Sequence, residues 1–141
     1  MAGEYTNSIN KALKKRGELF TAIRSRLKDN KSFKEILALV DADDPELASI
    51  EFKEKRDLIG LFEEVALLLN SGLIRPAVAN YMFGYYAIRC WNNPRFWNDV
   101  RRESAYWSLY RAFVDRMQKE EDKLANAARW RDTRFTSALR Y

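Results

Sequence analysis

Apolar positions along this chain recur at helical spacing. Ile9, Leu13, Phe20, Ile23 and Leu27 form one stripe, which predicts a first helix ending near Lys28, with Thr6, Asn7 or Ser8 as its N-cap. Asp29-Asn30 stops it. Phe33, Ile36, Leu37 and Val40 then predict a short second helix capped by Ser32. Asp44 before Pro45 reads as an N-cap followed by the first helical residue, and a bend is expected near 49–52. The helical pattern strengthens beyond it, through Leu58, Phe62, Val65 and Leu69.

The stretch from Leu58 to Trp91 organises the whole. Its first arm is LIGLFEEVALLLN, its turn is SGLIRP and its second arm is AVANYMFGYYAIRCW. Both arms are apolar around most of their circumference, as in helices buried by neighbours. Gly72 suits the left-handed position that closes a helix, and Pro76 suits the first turn of the next. On the second arm, Val78, Tyr81, Met82, Tyr85 and Ile88 make one face. Asn80, Gly84 and Ala87 make a narrow face open to close approach by another helix.

Asn92-Asn93-Pro94 marks another break, and a short helix over Phe96, Trp97 and Val100 is expected after it. A long helix is predicted from about Glu103 to Ala128, with Tyr106, Tyr110, Phe113 and Met117 on one side. Past Met117 the apolar face thins, so this helix is expected to project beyond the core. No segment alternates as a strand should. The reading is an all-α, single-domain bundle of about five helices around a central antiparallel hairpin. It spans residues 1–128 and is followed by an Arg/aromatic tail, residues 129–141.

Composition supports this picture. Hydrophobic residues make up 47% of the chain, with only five glycines and three prolines, which favours a folded helical domain over a disordered one. No uninterrupted apolar run is long enough to span a membrane, and Met1 to Asn10 is too polar for a secretory leader. With Cys90 as the one cysteine, no intrachain disulfide forms, and a cytoplasmic setting is expected.

The net charge of +5 is unevenly placed. Residues 1–28 carry +5, residues 129–141 carry +3, and the body between them carries −3. An electrostatic partner, whether nucleic acid or a peripheral anionic membrane surface, would therefore meet the two ends. The candidate surface is Lys11, Lys14, Lys15, Arg129, Arg131 and Arg134. Trp130, Phe135 and Tyr141 among the tail arginines suit base stacking, or docking onto a protein or a second copy.

Catalytic chemistry has little to work with. There is no histidine, so the commonest general base and zinc ligand are missing. Cys90 sits alone on an apolar arm, and the glycines form no phosphate-binding loop. Asp41, Asp43 and Asp44 are calcium ligands in type, but no glycine follows at the bend of a calcium loop. No enzyme activity, metal or cofactor is expected. Two charges stand among apolar neighbours, Glu63 on the first arm and Arg89 on the second. A buried charge needs a partner, so a structural Glu63–Arg89 pair is expected, with Arg101 or Arg102 as alternatives. The functional alternative is a polar site for a small anion or carboxylate.

The run DLIGLFEEVALLLNSGLIRPAVANYMFGYYAIRCW, followed by FWNDVRRESAYWSLYRAFVDRM, resembles an uncharacterised bacterial family of helical domains of unknown function. That pattern is a helix with a central glutamate and a terminal Asn-x-Gly, a second apolar helix, an Arg-bearing segment and an aromatic helix. Glu63, Asn70, Gly72 and Arg101 or Arg102 occupy the matching places, and the resemblance covers roughly residues 33–117. Some relatives carry a membrane segment ahead of this domain, where this chain carries its basic helix. The resemblance implies a fold and leaves the activity open. A non-enzymatic protein–protein interaction module is the expected function, self-associating through the last helix or binding a protein partner. Nucleic-acid or anionic-surface binding is the alternative.

Overall fold

A computed structural model describes the backbone of residues 2–139 and the side chains of residues 6–129. It is all-α, with no strand among the described residues. Helix α1 spans Ala2–Asp29 and runs through Thr6, Asn7 and Ser8, so these are not its caps. Asn30, rather than Ser32, caps α2 (Lys31–Asp41): its side chain accepts from the Phe33 N–H at 3.0 Å. Asn30 stands one residue before the helix with extended backbone, where its oxygen reaches the orphan N–H groups, whereas Ser32 is already inside. Helix α2 buries Phe33, Ile36, Leu37 and Val40, the stripe read from its spacing.

Asp44 does cap the turn begun by Pro45, accepting from the Glu46 N–H at 2.9 Å. That turn is a single 3-10 segment, Pro45–Ser49, which ends in extended backbone at Ile50. Helix α3 (Phe52–Asn70) then buries Leu58, Ile59, Leu61, Phe62, Val65, Ala66 and Leu69. Its end is a Schellman closure. The Leu73 N–H donates to the Leu68 carbonyl at 2.9 Å, the Gly72 N–H donates to that of Leu69 at 3.1 Å, and Gly72 sits at φ 73°. Pro76 opens the second arm, with Arg75 as the residue before it.

That arm is helical in three pieces: α4 (Pro76–Ala79), a π-helical turn (Asn80–Gly84) and α5 (Tyr85–Asn92). Asn93 caps the short α6 (Pro94–Trp97) by accepting from the Arg95 and Phe96 N–H groups. The last long helix starts later than its periodicity suggested. Ser104 caps a 3-10 turn, Ala105–Trp107, and α7 follows over Ser108–Leu139. The α7 backbone crosses residues 128 and 129 without a break, so the helix runs on through the predicted tail as far as Leu139.

The arm meets α7 on the narrow face of Asn80, Gly84 and Ala87, as its small residues suggested. The broad face is turned outward, with Val78, Tyr81 and Tyr85 exposed, while Ala79, Asn80, Phe83, Gly84, Ala87 and Cys90 are buried. Small residues admit α7 closely enough for the Tyr110 hydroxyl to donate to the Ala87 carbonyl at 2.7 Å. Beside that bond lies an aromatic floor of Phe62, Trp91, Trp97, Trp107 and Tyr110, whose rings meet edge-on, tilted or stacked. Each such ring, buried, stabilises the fold by roughly 1.5–3 kcal/mol.

Candidate functional site

Helix directions set what is left uncovered. Arg26 of α1 pairs with Glu64 of α3 at 2.6 Å, while Asp29 and Asn30 share a cleft with Asp57 and Gly60. Helix α1 therefore runs antiparallel to α3, and its N-terminal half points past the hairpin turn. Helix α7 runs parallel to α3: Tyr110 stacks on Phe62, and Arg116 reaches Asn70 at 3.3 Å. Its later turns pass the same end, where Leu124 and Ala127 face Ala77 across a groove. Both long helices overhang the bundle at the hairpin-turn end.

Among the described residues, exposed large apolar side chains gather there. Helix α1 contributes Ile9 (43% exposed), Leu13 (56%) and Leu19, α3 its Leu67, and the turn Leu73. The arm adds Val78 and Tyr81 (86%), and α7 adds Leu124 (61%). Tyr85 lies midway and Tyr106 at the opposite end. The α1 stripe is continuous, and only its second half, Phe20, Ile23 and Leu27, meets the core. Phe20 touches Phe83 edge-on at 6.0 Å, the last such contact before the helix leaves the bundle. Lys11, Lys14 and Lys15 flank the uncovered half and are exposed. Arg129 is exposed on α7, whereas Arg131 and Arg134 lie outside the described side chains.

The predicted Glu63–Arg89 pair is not formed. None of the ion pairs among the described residues includes Glu63 or Arg89. Arg89 is exposed and covers the Tyr85 ring, its guanidinium carbon 4.3 Å from the centroid. Arg101 is exposed, and Arg102 donates to the Trp91 carbonyl at 2.9 Å and pairs with Glu103. Glu63 is half-buried and so keeps some contact with water; loss of the rest raises its carboxyl pKa above the ordinary glutamate value. No cluster of metal-ligating side chains occurs among the described residues. Burial pushes the Cys90 thiol far up, so it is not a nucleophile near neutral pH.

Two buried polar groups escaped the sequence reading. Lys55 is 0% exposed, and its amine donates to the Arg95 carbonyl at 3.2 Å. Desolvation lowers its pKa. It stands in the charged run FKEKRD, which reads as a solvated face. Asn80 is 3% exposed; its amide donates to Glu121 at 3.0 Å, and its carbonyl oxygen has no partner among the described residues. The nearest sequence signal was the Asn80–Gly84 spacing on the narrow face. That oxygen occupies the space above Gly84, 2.0 Å from where a Cβ would stand.

Comparison with protein-family models, curated proteins and solved structures finds no match.

Proposed function

We propose that this chain is a non-enzymatic interaction module that self-associates through its hairpin-turn end. One observation carries the reading, the gathering of exposed apolar side chains on α1, the turn, the arm and α7 at that end. Exposed apolar side chains concentrated at one end among charged ones are a usual mark of a protein contact. A second copy brings the same stripes and offers helical faces to cover them, as closed two-fold dimers do. The buried, inert Cys90 suits a reducing compartment such as the cytoplasm. The order of hairpin, Arg-bearing segment and aromatic helix suits the bacterial helical family it resembles.

Sedimentation velocity over a protein concentration series tests the proposal. A species of twice the monomer mass or more, growing with concentration, is expected. A monomer throughout the series overturns it.

Nucleic-acid binding is a second reading, favoured by Lys11, Lys14 and Lys15 standing exposed together with no ion pair to a carboxylate among the described residues. It requires affinity for DNA or RNA that falls steeply with salt and weakens when these lysines become glutamines. Salt-independent or undetectable binding removes it.

A further inference from the structure

On the other side of the arm from α7, the last turns of α1, helix α2 and the arm enclose an open groove of about 670 Å³. Its apolar part is Leu27 of α1, Leu37 and Ala38 of α2, and Met82 of the arm. Arg24, Lys28 and Lys34 line it as well. Among the described residues no carboxylate forms an ion pair with any of the three. Asp41, the one acid in the groove lining, is held at its edge: its two oxygens accept from the hydroxyls of Tyr85 and of Tyr86, itself a lining residue, at 3.3 and 3.1 Å. The groove thus offers an apolar floor and tyrosine rings beside three cations and one carboxylate, none of the cations ion-paired among the described residues.

We propose that this groove binds a small organic anion with an apolar or aromatic body. The volume is enough for a small ligand, which would lie in the groove with one side open to water. Such a ligand would lay its apolar part on Leu27, Leu37 and Met82, with Tyr81 and Tyr86 beside it, and present a carboxylate, sulfonate or phosphate to Arg24, Lys28 and Lys34. Both halves of the ligand matter. An inorganic anion lacks the body that the floor would desolvate, and a neutral hydrocarbon leaves three cations unmatched. The proposal is independent of self-association, since the groove is built within one copy.

The probe is 1-anilinonaphthalene-8-sulfonate, an aromatic sulfonate, titrated by fluorescence against N-phenyl-1-naphthylamine, the same body without the anion. Saturable binding of the sulfonate is expected, at least about tenfold tighter than the neutral analogue, and inorganic phosphate is expected not to displace it. The double variant Lys28→Glu, Lys34→Glu changes exposed side chains only, so circular dichroism should match the parent. It should weaken the sulfonate by at least about tenfold and leave the neutral analogue unchanged. As a control, Lys11→Glu with Lys15→Glu makes the same charge change outside the groove and should have little effect. Equal loss in both double variants, equal binding of the two probes, or no saturable binding would each overturn the proposal.

Discussion

Gly84 is fixed by one atom. The Asn80 oxygen lies where an alanine methyl would go, and Asn80 is held by its bond to Glu121. Gly84→Ala should therefore push the Asn80 amide aside and destabilise the fold by about 1–3 kcal/mol, the usual cost of overfilling a packed site. Asn80→Ala empties the same space at the cost of a hydrogen bond. In urea unfolding, the double variant should be clearly less destabilised than the two single losses added together. Strict additivity would show that the two residues do not compete for that space.

Lys55 sets up a second residue-scale test, with a sign that can be worked out. Its pKa is lowered in the folded chain relative to the ordinary 10.5. Between the lowered value and 10.5 the unfolded chain holds more protons, so this group's penalty is full at lower pH and is relieved as pH rises through that window. Lys55→Met removes the penalty but leaves the Arg95 carbonyl without its donor. The variant should be neutral to about 2 kcal/mol more stable near neutral pH. Its advantage over the parent should shrink as the pH approaches 10.5. The difference between the two proteins is the quantity to measure, because Cys90 and Tyr110, both raised by burial, lower stability in alkali in either one. A pH-independent difference would mean that Lys55 does not titrate on unfolding.

At the scale of elements, the legible features were those written in local chemistry. Asp44-Pro45, Asn70-Ser71-Gly72 and Pro76 each act on backbone at or beside their own position, so their places could be read directly. The narrow face of Asn80, Gly84 and Ala87 was legible as well, and α7 packs on it. The outward turn of Val78, Tyr81 and Tyr85 was not, because apolar residues lie around most of the arm. The burial of Asn80 brings it to Glu121, 41 residues away, a meeting that local spacing does not show. The Glu63–Arg89 expectation failed for the same reason, since sequence gives spacing along each arm and leaves the facing of the two arms open. The overhang of α1 was hidden differently. Its stripe has one uniform pattern, yet only Phe20, Ile23 and Leu27 meet the core. Deleting residues 1–16 should therefore change monomer stability by less than about 1 kcal/mol in dilute urea titrations, because the described side chains removed are all exposed. A larger loss would place part of the core in that half of α1.

For the whole molecule, an uncovered stripe continuous with a buried one means that monomer stability and assembly are separable. Leu13 is exposed in the single chain, so Leu13→Asp should cost the monomer little while placing a charge in the centre of the apolar end. Association stabilises the folded state by mass action, and the midpoint of thermal unfolding of an assembling chain rises with its concentration. A tenfold increase in the parent protein should raise the midpoint by about 2–4 °C once concentration exceeds the dissociation constant. Leu13→Asp should show no such rise and should melt, at every concentration, where the parent melts when dilute. If the variant keeps the parent's concentration dependence, the chains meet through a different surface. If neither protein shows any, the apolar end is not a contact between copies.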